Sequence, residues 1–155
     1  MKIENDTNYS KAEIRRFIAM ARPPGTKIKL VIVRYCAKHG SGHGRAFTGL
    51  GRCKIKVWVP RKSSKHVRKV WKPRKAYLGM AIGSRDECLL MLLAHELRHL
   101  WQGQGTGSRA RKVFSTEKPR PRKGMVYGAR GRFSERDADA WALHRLRQYR
   151  RGELS

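Results

Sequence analysis

The chain has 155 residues, of which 37 are Lys or Arg and 11 are Asp or Glu, for a formal net charge of +26. That length suits one domain with a modest core, and so cationic a surface attracts nucleic acid or another polyanion in a salt-dependent way. Three cysteines without a CxxC pair argue for a reducing compartment, no stretch nears the about 20 apolar residues of a membrane span, and Glu4, Asp6 and Glu13 interrupt any secretory signal.

In chain order, residues 10–21 predict a helix with Ile14, Phe17, Ile18 and Ala21 on one side, ended by Arg22-Pro23-Pro24-Gly25. Residues 27–35, with Ile28, Leu30, Ile32 and the β-branched Val31 and Val33, predict a buried strand. Residues 40–51 are rich in glycine and predict a loop. Residues 53–59 alternate Ile55, Val57 and Val59 against Lys54, Lys56 and Trp58, which predicts a half-exposed strand with a basic outer face. A basic loop at about 60–75 precedes a third strand at 76–82. Ser84 and Glu87 form a capping box ahead of the apolar run 88–94, so a helix spans 84–102 and stops at Gly103 and Gly105. A second basic loop covers about 103–133, and Ser134, answered by Asp137, opens a last helix that runs to about 151. The sum is one α+β domain over 1–155, a small three-stranded sheet packed against an N-terminal, a central and a C-terminal helix. It is expected to be soluble and cytoplasmic, nucleoid-associated or packaged in a virion, with no membrane partner.

The central helix carries His95-Glu96-Leu97-Arg98-His99, an HExxH pentapeptide that random order would give in only about one in a hundred chains of this composition. Positions four apart stack on one helical face, so both imidazoles can reach one metal ion with Glu96 beside it. Leu89, Leu93, Leu97 and Leu100 form one packing stripe, while Cys88, Met91, Leu92, His95, Glu96 and His99 lie toward another side, so the metal and core faces are separable. As ordinary polar residues on so apolar a helix these groups would need compensation for burial, which a metal supplies. A catalytic zinc takes three protein ligands, and Glu135 is the candidate for the third. Asp139 follows it on the same face, with Ala138 and Ala142 small enough for close helix contact.

On these residues the chain resembles the gluzincin metallopeptidases, whose HExxH helix is followed by a helix bearing Glu-x-x-x-Asp. Its Glu-x-x-Ala-Asp-x-x-Ala pattern from Glu135 to Ala142 is also similar to small ImmA/IrrE-type and SprT-like intracellular metallopeptidases. The resemblance implies a minimal zincin-like core, which the order α-β-β-β-α-α matches. It further implies one Zn2+ held by His95, His99 and Glu135, Glu96 as general base, and Asp139 as the carboxylate that orients a ligand imidazole. SprT-like enzymes usually take a third His, which makes His144 the rival to Glu135. In such folds the strand lining the metal helix pairs with extended substrate.

Two cationic stretches remain. Arg61, Lys62, Lys65, Arg68, Lys69, Lys72, Arg74 and Lys75 surround Trp71, with Trp58 just upstream, and form a candidate nucleic-acid patch for DNA or RNA; the plainer alternative is a solvated loop whose Trp packs inward. The 103–133 loop is a lid or a tether. Cys36, His39, His43 and Cys53 have zinc-capable chemistry but fit no finger spacing, and Tyr127, His66 and His144 are positional candidates for transition-state donors. The expected function is a zinc metallopeptidase cutting protein or peptide substrates that are acidic or associated with nucleic acid. The alternatives are a nucleic-acid-binding or virion-packaged structural protein with a non-catalytic metal site, and a toxin or effector protease.

Overall fold

Among the described residues seven elements follow one another: β1 (Lys2–Asn5), α1 (Lys11–Ala21), β2 (Leu30–Tyr35), β3 (His43–Phe47), β4 (Lys54–Val59), α2 (Arg85–Gln104) and α3 (Gly131–Arg150). The computed structural model describes residues 1–36, 42–47, 52–61, 82–104 and 131–154, and the side chains of these except 131–134 and 136. The class is α+β, with a mixed sheet of order β1-β2-β4-β3 in which β1 and β4 run parallel to β2 and β3 runs antiparallel to β4.

Among the described residues the sheet has four strands where three were expected in all, and two of the four, β1 and β3, were not foreseen. β1 is too short for an alternating pattern and sends a single residue, Ile3, into the core, beside Val31 of β2. β3 lies inside the stretch assigned to a loop; its inward positions are Gly44 and Ala46, so no large apolar residue marks it. Of the strand expected at 76–82, only Ile82 is among the described residues, and it is buried. The strand expected from 53 begins at Lys54, because Cys53 takes a φ of +31°, outside strand geometry.

The inner face of the sheet contributes Ile3, Val31, Val33, Ile55, Val57 and Val59 to one core with Ile14 and Phe17 of α1, Leu89, Leu93 and Leu97 of α2 and Leu146 of α3. Each such side chain contributes about 1.5–3 kcal/mol on burial. α1 opens as expected, with Ser10 and Glu13 in a reciprocal capping box, and closes at Arg22, which Pro23 pushes into extended geometry. The last carbonyls of α1 are satisfied from α3: Trp141 Nε1 donates to Ala21 O at 2.8 Å and Arg145 Nε donates to Met20 O. That tertiary cap fixes α3 against α1.

α2 begins as expected, Ser84 Oγ accepting from the Glu87 N–H at 3.1 Å. It is buried on every side from Cys88 to Ala94, so the expected separation of core and metal faces holds only from His95 onward. Gly103 does not end it. Gln104 accepts from the Lys27 N–H at 2.8 Å and donates to the Lys27 carbonyl at 2.6 Å, which ties the final turn to the approach to β2. α3 starts at Gly131, not at a Ser134 cap, and Asp137 spends its carboxylate on α2 instead. Gly152, at φ +73°, terminates it in the left-handed conformation that favours glycine. Among the described residues no helix is long and apolar enough to cross a membrane.

Candidate metal centre

α2 and α3 pack along each other, and their contact brings the HExxH residues to Glu135. Four-residue spacing sets the rings of His95 and His99 4.6 Å apart, with Nε2 facing Nε2 at 3.0 Å. From α3, Glu135 places Oε1 3.2 Å from His99 Nε2 and Oε2 3.5 Å from His95 Nε2. Among the described residues this is the one group of three or more His, Cys, Asp or Glu side chains with donor atoms mutually close enough to hold an ion. His144 is elsewhere on α3, 6.1 Å from the Trp141 ring, where burial and then Arg145 and Arg151 lower its pKa.

The far nitrogens of the two rings define what the near ones present. His99 Nδ1 meets Gln102 Oε1 at 2.9 Å, and the Gln102 amide is oriented by its own donation to Asp137 Oδ2 at 2.8 Å. An amide oxygen only accepts, so His99 donates from Nδ1, and in its neutral form this leaves Nε2 available to an ion. His95 Nδ1 lies 2.9 Å from Asp139 Oδ1, an ion-pair distance although the N–H direction misses hydrogen-bond alignment. The two Nε2 atoms and the Glu135 carboxylate converge on a single point, where a proton on an imidazole or a bound cation would offset the carboxylate charge.

The donor set fits a divalent ion. Donors about 2.0–2.1 Å from a tetrahedral zinc stand about 3.3 Å apart, and the observed spacings are 3.0, 3.2 and 3.5 Å. Burial disfavours a charged His95, yet Asp139 and Glu135 outweigh it and push the pKa up to about 10. Burial likewise raises Glu135, but donation from His95 and His99 holds its carboxyl well below the usual range. The three side chains are only partly buried, at 14%, 17% and 26% exposure.

Glu96 is buried beside this group. Burial raises its pKa against the opposing pull of His95 and His99, and the Ala46 N–H of β3 donates to it. β3 approaches so closely that a Cβ on Gly44 would stand 2.4 Å from Glu96 Cγ, so glycine is required there. Behind His99, Arg98 donates to Asp137 at 2.5 and 3.0 Å, both groups almost fully buried, and lies 3.9 Å above the Trp101 ring. Sequence reasoning missed Gly44, Ala46, Arg98, Gln102 and Asp137. The one available signal was Arg98 itself, a charge inside the pentapeptide of a buried helix, three residues short of an aromatic.

Other expectations fall differently. Lys62, Lys65, Arg68, Lys69, Trp71, Lys72, Arg74 and Lys75 lie outside the described residues, as do His39, His66 and Tyr127. Most of the 103–133 stretch does too, although its two ends belong to α2 and α3. Arg61 is exposed, 5.2 Å over the Tyr35 ring. Cys36, His43 and Cys53 form no common site: Cys36 is buried, His43 stacks on Trp58, and Cys53 Sγ accepts from Gln104. No protein-family model matches the chain, and neither does a curated protein or a solved structure; what the site can do follows from its own atoms.

Proposed function

We propose that this chain is a zinc-dependent metallopeptidase with a zincin-like core, holding one ion through His95, His99 and Glu135. The observation that carries the reading is the convergence of three side chains able to ligate an ion with a buried carboxylate, Glu96, alongside. A zinc ion there would polarise the scissile carbonyl and lower the pKa of a bound water. Glu96, buried beside the three side chains, would serve as general base for the attacking water and return the proton to the leaving amine. Asp139 and Gln102 keep the two imidazoles in the tautomer that leaves Nε2 for the ion. The His2Glu donor set suits zinc but would accept other divalent ions of similar geometry.

β3 supplies a place for the peptide. Among the described residues it pairs only with β4, and because its Ala46 N–H reaches Glu96 rather than β4, its other edge faces the candidate site. Alternation puts the Gly44 backbone on that same edge. An extended peptide added there would lie beside Glu96, bound through backbone groups and so with weak sequence demands. The net charge of +26 favours substrates that are acidic or carried on nucleic acid.

The test pairs metal analysis with cleavage of casein and of a nucleic-acid-bound protein, with and without chelator. Zinc-dependent cleavage that Glu96→Gln abolishes, with metal retained, is the expected result. Salt-sensitive nucleic-acid binding with no chelator-dependent cleavage of either substrate would instead support a structural protein with a non-catalytic metal site, the reading that the net charge alone would favour.

A further inference from the structure

The outer face of the sheet is built differently from the inner one. Register sets three pairs across β3 and β4: Phe47 opposite Lys54, Arg45 opposite Lys56, and His43 opposite Trp58. None of these six residues belongs to the core, and His43 and Arg45 are exposed. His43 lies flat on Trp58, ring centres 4.5 Å apart and planes 14° from parallel. The cations rest on the aromatic faces: Lys56 Nζ 4.5 Å from the Trp58 centre, Lys54 Nζ 5.1 Å and the Arg45 guanidinium 5.3 Å from the Phe47 centre. β3 and β4 contain no acid. The acids near this face sit at the far edge, where Glu4 pairs with Lys2 and Asp6 with Arg34.

We propose that the outer face of β3 and β4 binds single-stranded nucleic acid, bases stacking on His43–Trp58 and Phe47 while Arg45, Lys54 and Lys56 take the phosphates. The chemistry fits one occupant. A phosphodiester strand with unpaired bases offers both anions for three cations that form no ion pair among the described residues, Glu4 acting on Lys54 without one, and flat π-surfaces for the rings they now cover. An acidic peptide would satisfy the cations but offer no flat surface to the aromatic rings, and a duplex keeps its base faces inside its own stack. Each cation exchanges a ring for a phosphate as a base takes its place. The surface is independent of the metal centre, yet β3 serves both, since Gly44 and Ala46 approach Glu96 while His43, Arg45 and Phe47 look outward. A protein carried on such a strand would be held one strand's width from the candidate site.

The test uses the full chain carrying Glu96→Gln, so that it stands whether or not the protein is a hydrolase. Fluorescence anisotropy would compare labelled DNA and RNA single strands of about 12 nucleotides, within the usual site size, with a duplex of equal length. Two triple variants remove the same charge, Arg45→Ser/Lys54→Ser/Lys56→Ser on the sheet and Lys11→Ser/Arg15→Ser/Arg22→Ser on the exposed side of α1. The sheet triple should weaken single-strand binding about tenfold or more at moderate salt and flatten the log–log salt dependence by about 2, near 0.7 for each phosphate no longer neutralised. The α1 triple should change it less than about threefold. His43→Ala, an exposed position that threatens the fold least, should cost about fivefold or more with the salt slope unchanged. DNA and RNA arms report which sugar is preferred, and binding of either single strand above the duplex supports the proposal. Equal losses from the two triples, no effect of His43→Ala, or preference for the duplex would overturn it.

Discussion

Where α2 meets α3, six of the eleven acids of the chain are gathered, and each has a partner chosen by the fold. Tyr9 donates to Asp86 at 2.8 Å, Arg150 to Glu87 and Arg98 to Asp137, while Glu96 accepts from Ala46, Glu135 faces both histidines and Asp139 faces His95. Across the sheet, on the outer face of β3 and β4, cations rest on aromatic rings and no acid is present on either strand. A buried charge persists only where a counter-charge or hydrogen bond compensates its desolvation, so the helix pair had to become specific. A cation that keeps contact with solvent, as the exposed Arg45 and the half-buried Lys54 and Lys56 do, carries less of that demand, and the sheet face is left ready for an external anion.

The largest effect should come from the helix pair. Glu96→Gln should lower peptide hydrolysis by about 10²–10⁴-fold, the usual worth of general acid–base catalysis, with bound metal unchanged in elemental analysis; cleavage near the wild-type rate would remove Glu96 from the reaction. Asp137→Ala leaves Arg98 buried and uncompensated, and should destabilise the fold by about 3–5 kcal/mol in urea denaturation. A loss under about 1 kcal/mol would show that the pair is solvated instead.

Gly44→Ala tests the seam between the two regions. The added methyl meets Glu96, so a stability loss of about 1–3 kcal/mol is expected, accompanied by a fall in hydrolysis while single-strand binding on the outer face persists. Asp139→Asn should weaken metal affinity about 10–100-fold in competition with a chromogenic chelator, and unchanged affinity would assign Asp139 to structure alone.

The smallest effect lies at the ends of the helices. Burial alone would raise the Glu87 carboxyl, but Arg150 and the Gly83 N–H bind its charged form and hold it below the usual range. A depressed folded-state value gives stability that is present above the ordinary carboxylate range and lost as the pH falls through the lower folded value. Arg150→Ala should therefore cost about 0.2–1 kcal/mol at neutral pH, as for a partly exposed pair, and should reduce the acid sensitivity of the thermal midpoint. An unchanged acid profile would mean that the pair contributes nothing.

What was legible in the sequence follows from periodicity. His95 and His99 share a helical face by spacing alone, and Glu135 and Asp139 do so on a second helix; the structure brings the two faces together with Glu135 at the histidines and His144 away from them. The α+β class and most of β2, β4 and α1 were likewise carried by alternation, helical repeat and the Ser10–Glu13 cap. β3 was hidden because its inner positions are Gly44 and Ala46, chosen for closeness to Glu96 rather than for apolar burial. The span from Gly131 was hidden because Ser134 and Asp137 imitate a cap, whereas Asp137 is held by an arginine on another helix. Residues whose roles depend on partners distant in sequence, among them Arg98 with Asp137 and Trp141 with Ala21, leave no local signature.

The central claim is a divalent ion between His95, His99 and Glu135, and anomalous X-ray scattering at the zinc edge from crystals grown with zinc tests it most directly. The account predicts one strong peak about 2.0–2.2 Å from both Nε2 atoms and a Glu135 carboxylate oxygen. A well-ordered site with no peak there, or with the three side chains turned to separate partners, would contradict it.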